Sequence, residues 1–254
     1  MRLAFTIGSY RLFDFIHLGI KQIRRLCGDD TPILISDDYS PESVYIKQLA
    51  KEQGCEFMGS DKRRGHFSGD GNSLVNAISF GVHTEADIAI KVSQRFIFRL
   101  PESIQAIERA FADPAVVIAI PGQPKVAFGS KAAKGFSNFA VLSDVVCVRP
   151  SIQIADRFLQ LYRNRIRTES VPWKTFIEPA VHAIFNDVGP ERAKLLPELT
   201  DHATPANPIY LRRYQCTEEQ YRQLASFHGI LGRFPVAEFG AIEGRAYMAQ
   251  PVVV

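Results

Sequence analysis

Ile88-Ala89-Ile90-Lys91-Val92-Ser93-Gln94-Arg95-Phe96-Ile97-Phe98 is the stretch on which the reading of this chain turns. It begins as an apolar run and becomes polar at Ser93, Gln94 and Arg95. Branched and aromatic residues in a run of that length predict a buried strand of a parallel or mixed sheet. Ligands of open α/β sheets sit at the carboxyl ends of such strands. Three polar side chains therefore stand where a ligand is expected. Taken alone, the triplet is equally a strand end reaching solvent.

Upstream, Arg2 to Ile7 predicts a first strand and Gly8-Ser9-Tyr10 a turn. Phe13 to Leu26 has apolar residues at helical spacing, with Lys21, Arg24 and Arg25 on the other side and Gly28 to end the helix. Pro32 to Ser36 predicts a second strand, followed by Asp37-Asp38-Tyr39-Ser40-Pro41-Glu42. Ser43 to Gln53 reads as a helix capped by Ser40 or Ser43, and Cys55 to Met58 as a third strand. Such a β-α-β-α-β order predicts a parallel sheet with right-handed crossovers. Gly59 to Gly71 mixes Asp61, Lys62, Arg63, Arg64, His66 and Asp70 with glycines and predicts a basic loop. That loop is either simply solvated or, lying between a strand and a helix, a grip for an anion. The helix Asn72 to Val82 then leads back to the opening strand.

Downstream, Pro101 to Ala112 predicts an amphipathic helix with Pro101 in its first turn, and Ala115 to Ile120 another strand. Pro121 to Asn138, with Lys125, Lys131 and Lys134, reads as a flap or hairpin. Phe139 to Val148 predicts one or two strands, Pro150 to Asn164 a helix, Thr168 to Trp173 a loop and Thr175 to Phe185 a helix carrying Glu178. Beyond Gly189 the pattern loosens, until Thr217 to Phe227 reads as a capped helix. Pro150 and Gly189 are the weak candidates for a boundary, and a single domain over 1–254 is expected.

The 254 residues are 46% hydrophobic and 22% charged, the profile of a soluble globular protein. A net charge of +3 does not argue for nucleic acid. Cys27, Cys55, Cys147 and Cys216 are widely spaced and form no CxxC pair, so buried free thiols in a reducing cytoplasm are expected. His17, His66, His83, His182 and His202 show no metal-ligand spacing. No signal-peptide pattern opens the chain, and no apolar run approaches the roughly 18 residues of a membrane span. There is no GxSxG elbow, no phosphate loop of the GxxxxGK[ST] type, and no dinucleotide fingerprint.

Gly8-Ser9-Tyr10 after the first strand, Ile33-Leu34-Ile35-Ser36-Asp37-Asp38-Tyr39-Ser40 as a strand ending in Asp-Asp-x-Ser, and a helix leading to a strand with a polar triplet form one ordered set. In that order and spacing the chain resembles the nucleotide-sugar-binding half of the GT-A glycosyltransferases, especially their inverting family 2-like members. The resemblance covers about residues 1–185, most clearly the first hundred. It implies a mostly parallel sheet flanked by helices, with a nucleotide-binding half at about 1–120 and an acceptor half with a C-terminal extension at about 121–254. It further implies that Ser9 and Tyr10 hold base and ribose and that Asp38, with Asp37 beside it, accepts from the base. Adjacent strand-end residues point opposite ways, so one of the two carboxylates is expected to reach the nucleotide. Ordinary packing for Tyr10 and a helix-capping turn for the Asp pair are the alternatives.

The family normally carries Asp-x-Asp where this chain has Ser93-Gln94-Arg95. Those carboxylates bind the divalent metal that neutralises the diphosphate. Here a hard divalent ion has no obvious ligand, and none is expected. One account is that Arg95 binds the diphosphate directly as a bidentate guanidinium, helped by Lys62, Arg63, Arg64 and Lys91. The other is that metal and chemistry are both lost, leaving a nucleotide or nucleotide-sugar binding protein without turnover. Glu178 lies where the family often supplies the acceptor base, beside Trp173; a carboxylate near a helix start is also favoured by the helix dipole. His228, with Arg233 nearby, resembles the late histidine aimed at the diphosphate, or is plain helix capping. The expected partners are a nucleoside diphosphate sugar and an unknown acceptor. A nucleotidyltransferase is disfavoured, for it needs metal carboxylates and a glycine-rich signature loop.

Overall fold

A computed structural model describes residues 1–94, 96–121, 144–168, 187–189, 191–199 and 218–230. Arg95, Glu178, Trp173, Arg233, Cys216 and the Lys125, Lys131 and Lys134 stretch lie outside them. Seven strands form one sheet: β1 (Leu3–Ser9), β2 (Ile33–Asp37), β3 (Glu56–Gly59), β4 (Ile88–Ser93), β5 (Ile118–Pro121), β6 (Val145–Val148) and β7 (Ala193–Leu196). Their order across the sheet is β3-β2-β1-β4-β6-β5-β7. All neighbours run parallel except β6, which is antiparallel to both β4 and β5.

Side-chain alternation along the strands builds two apolar layers. On one face Leu3, Phe5 and Ile7 of β1, Ile33 and Ile35 of β2, and Ile88, Ile90 and Val92 of β4 pack with three helices. These are α1 (Phe13–Cys27), α2 (Ser43–Glu52) and α4 (Pro101–Phe111). On the other face Ala89, Ile118, Ile120, Val146 and Val148 meet Leu74 and Ile78 of α3 (Gly65–His83) and Phe158 of α5 (Ile152–Thr168). Helix α3 lies so close to the sheet that a Cβ on Gly81 would stand 2.6 Å from the Cβ of Ala89. A last helix, α6 (Glu218–Phe227), puts Ala225, with the following Ile230, against Phe15, Leu18 and Ile97.

Predicted and observed elements agree in kind through β4, α4 and β5, with shifts of a few residues at their ends. Three differences are physical. Gly59 to Gly71 is not wholly a loop, because α3 starts at Gly65. Its glycine-rich first turns are helical where the sheet and Asp38 hold them, against a local propensity about 1 kcal/mol per glycine poorer than alanine. The loosened sequence after Gly189 contains β7, a four-residue strand parallel to β5, and a 3₁₀ turn at Pro197–Leu199. Neither Ser40 nor Ser43 caps α2; the N-cap is Glu42, with no side-chain cap bond.

Candidate functional site

The polar triplet, the Gly8-Ser9-Tyr10 turn and the Asp pair all meet at one end of the sheet. The register explains it: Gly8 pairs with Ser36 on one side and with Ser93 on the other, and Ser9 pairs with Asp37. These are the carboxyl ends of three adjacent parallel strands, the position at which open α/β sheets take ligands.

The two aspartates point to opposite faces. Asp37 continues the face of Ile33 and Ile35 and is almost wholly buried. Its Oδ1 accepts the Ser9 hydroxyl at 2.8 Å and its Oδ2 accepts the Ser40 N–H at 2.9 Å. Ser40 in turn accepts the N–H groups of Arg11, at 2.9 Å, and Glu42, at 3.1 Å. This chain of bonds ties the β1–α1 loop to the β2–α2 loop. Asp38 turns toward α3, where its Oδ1 accepts the Arg64 N–H at 2.9 Å. Of the described non-glycine residues, only Arg11, Leu12, Tyr39 and Glu85 adopt positive φ, and three of those four stand in these two loops. Such conformations cost of order 1 kcal/mol or more each and persist where surroundings over-determine them.

Gln94 reads the backbone of Tyr10 twice: its Oε1 accepts the Tyr10 N–H at 2.6 Å and its Nε2 donates to the Tyr10 carbonyl at 2.8 Å. The Tyr10 ring has the Arg63 guanidinium 4.2 Å from its centroid and that of Arg11 at 5.4 Å. Arg64 reaches Asn72 Oδ1 at 3.3 Å. Beyond it, Met58, Gly59, Ser60, Asp61, Arg64, Asn72 and Asn76 line a cavity of about 330 Å³ at the β3 edge.

Toward the carboxyl ends of the strands, the sheet face under α3 turns from apolar to polar. Ser93 donates to Asp144 Oδ1 at 2.9 Å, and Asn76 donates to Ser36 Oγ at 2.9 Å. Gly8 keeps the row low: a Cβ there would stand 2.8 Å from Ser73 Oγ. One strand step below Ser93, the wholly buried Lys91 pairs with Asp70 of α3 at 3.0 Å. Asp144 is the carboxylate that sequence reasoning missed. It precedes β6 and reaches Ser93 only because that strand runs antiparallel to β4.

The structure thus brings together Ser9, Tyr10, Asp37, Asp38, Arg64, Ser93 and Gln94. It does not bring His228 to them. His228 closes α6 against α1, beside Phe227, whose ring lies under Arg25 at 5.8 Å. Arg25 and Lys21 are about two to three turns along α1 from the end that adjoins Tyr10. Burial pushes the His228 imidazole below its ordinary pKa, with Arg25, Lys21 and His17 adding to the effect. His17 is lowered in the same way, by burial first and then by Lys21. Arg95 and Glu178 lie outside the described residues.

Among the described residues, the donors at the end of β4 are bonded within the protein. Ser93 donates to Asp144, and Gln94 is bonded to the backbone of Tyr10. Among the described residues no three His, Cys, Asp or Glu side chains gather as a metal-binding group. No helix among them is long and apolar enough to cross a membrane.

No protein-family model matches the chain, and no curated protein matches it. Solved structures do. The mannosyltransferase PcManGT from Pyrobaculum calidifontis, in complex with GDP-Man and Mn2+, is similar over 99% of this chain and 81% of its own, with TM-score 0.52 and 11% identity. A glycosyltransferase involved in the glycosylation of the major capsid of PBCV-1 is similar over 88% of this chain and 99% of its own, with TM-score 0.51 and 11% identity. The apo structure of the bifunctional glycosyltransferase WbbM covers 91% of this chain with 45% of its own, with TM-score 0.51 and 9% identity. At such identities the likeness speaks for the fold, and the fold is of the GT-A type.

Proposed function

We propose that this chain binds a nucleoside diphosphate sugar at the carboxyl ends of β1, β2 and β4 and transfers the sugar to an acceptor, without a metal held by carboxylates at the end of β4. The observation that carries the reading is the meeting of Ser9, Tyr10, Asp38, Arg64, Ser93 and Gln94 at one sheet end, in a fold of the GT-A type. Asp38 accepts from the edge of the base, and Tyr10 offers a ring for stacking. Asp37 and Gln94 act through the loops that they hold. Arg95, with Arg64, stabilises the charge that develops on the leaving diphosphate, since guanidinium groups bind phosphate oxygens bidentately. Glu178 removes the acceptor hydroxyl's proton as its oxygen attacks the anomeric carbon and the bond to the diphosphate breaks. The bonding of Ser93 to Asp144 and of Gln94 to Tyr10 is what supports the metal-free form of the reading.

A second reading, a nucleotide or nucleotide-sugar binding protein without turnover, is favoured by the same triplet. Ser93 and Gln94 are both bonded to the protein itself. One experiment separates the two. Nucleoside diphosphates and their sugars are screened by thermal shift with Mn²⁺ and with EDTA. A ligand at 100 times its Kd adds about 2.7 kcal/mol. For a chain of this size that is a rise of about 5–10 °C. A rise that survives EDTA supports the cleft; no rise with any nucleotide refutes it. Sugar transfer that is abolished in Glu178→Gln, with binding retained, supports the enzyme, and binding without turnover in the unaltered protein supports the second reading.

A further inference from the structure

The connection between β3 and α3 rests on the two groups that would recognise a nucleoside. The Arg64 N–H donates to one oxygen of Asp38 at 2.9 Å. Gly69 lies against the other, so closely that a Cβ there would stand 2.7 Å from Asp38 Oδ2. The guanidinium of Arg63 lies over the Tyr10 ring at 4.2 Å. Three contacts, from positions 63, 64 and 69, therefore cover the carboxylate and the aromatic face together.

With the Arg64 N–H on Oδ1 and Gly69 crowding Oδ2, a base edge has to displace part of this segment to reach the Asp38 carboxylate. A base and the Arg63 guanidinium compete for the same ring face, since both are drawn to the π-system. The segment is built for release. Arg64, the N-cap of α3, makes no side-chain cap bond, and no acidic residue stands in the first turn. Gly65, Gly69 and Gly71 occupy the first two turns, where glycine is the poorest helix former after proline. Asp70, at the end of this stretch, is paired with the buried Lys91. A lift confined to the residues before Asp70 leaves that pair in place.

We propose that Arg63 to Gly69 is a strap that occupies Asp38 and Tyr10 in competition with a nucleoside, anchored at the Asp70–Lys91 pair. This rests on the nucleotide reading of the site. Apparent affinity is divided by the fraction of molecules whose strap is lifted, so a strap lifted one time in ten weakens binding about tenfold.

Gly69→Ala tests it in the full chain. Alanine favours the helix, so any loosening at Asp38 has to come from its methyl group meeting the carboxylate. Arg63→Ala is the second variant, and it is titrated with nucleosides that carry no phosphate, so that the lost charge does not enter. The probes are uridine, guanosine, adenosine, cytidine and thymidine, with their diphosphates for Gly69→Ala, in EDTA, by calorimetry. Hydrogen exchange of residues 61–70 is followed without ligand. The expected result is binding tighter by about threefold to tenfold, together with faster exchange at Arg64 and unaltered exchange in β1 and β2. Binding that is unchanged or weaker in both variants overturns the strap and leaves the nucleotide reading standing. Unchanged exchange in both also overturns the strap. No binding of any probe by the parent or either variant overturns the nucleotide reading and the strap with it.

Discussion

Asp37→Ala removes the acceptor on which both loops at the sheet end hang. The carboxylate is 1% exposed and accepts from Ser9 Oγ at 2.8 Å and from the Ser40 N–H at 2.9 Å. Hydrogen bonds to a charged group contribute about 1.5–3 kcal/mol each, and a donor left buried without a partner costs about 1–3 kcal/mol. Two such bonds set a gross loss of about 3–6 kcal/mol. Against it stands the relief of no longer burying an anion, which brings the net to about 2–4 kcal/mol. At roughly 2–4 °C per kcal/mol for a protein of this size, a loss of about 3 kcal/mol lowers Tm by about 6–12 °C. Ser9→Ala removes one donor and leaves Asp37 bonded to Ser40, so its effect is about 1.5–3 kcal/mol. The double variant then shows a coupling of about 1 kcal/mol between the two positions, because each loses a bond to the other. Urea denaturation of the four proteins, read as midpoint and slope, gives all three numbers. An Asp37→Ala variant within about 0.5 kcal/mol of the parent, the range of an ordinary surface change, would refute the reasoning. So would a coupling of zero.

Gly81→Ala is expected to destabilise by about 1–3 kcal/mol although alanine is the better helix former, because the new methyl group meets Ala89 at 2.6 Å and Pro150 at 2.9 Å; a higher Tm in the variant would show that α3 can lift from the sheet. The α1–α6 contact is expected to weaken in acid. His17 and His228 both have pKa values below 6.5 in the folded protein, so the folded state binds fewer protons than the unfolded one, and stability is full above pH 6.5 and falls as pH drops through it. Between about pH 7.5 and pH 5.5 the fall in Tm is expected to be smaller in a His17→Asn, His228→Asn double variant. Equal falls would mean that neither imidazole contributes.

The frame of the fold was legible because β1, β2 and β4 are buried on both faces and so read as continuous apolar runs. Helix α1 was legible by its spacing. Alternation at Asp37-Asp38 foretold two opposite directions, and the pair takes them. What could not be read depends on partners distant in sequence. β7 is four residues whose strand character comes from lying along β5. The first turns of α3 look like a loop because their glycines oppose helix locally, while Asp38 and the sheet hold them. Asp144 is brought to Ser93 by the reversed strand β6, and nothing near either residue announces it. His228 follows a helix as a site histidine could, yet Ala225 and Ile230 seat that helix on Phe15 and Leu18. The one signal was there in advance: the apolar residues of that helix share a face and need a surface to cover.

The reversal of β6 also fixes where the intervening chain is tethered. β5 runs parallel to β7 and antiparallel to β6, and β6 is antiparallel to β4, so β5 finishes at the same rim as β1, β2 and β4. Pro121 leaves the sheet at that rim, and Asp144 returns to it beside Ser93. Both moorings of the sequence between them are thus at the mouth of the cleft. Closing a longer excursion between fixed ends adds only about 0.6 kcal/mol per doubling of its length. The ends of β5 and β6 therefore border the same rim as Ser9, Asp38 and Ser93, and a change in the length of chain between them leaves every strand its neighbour.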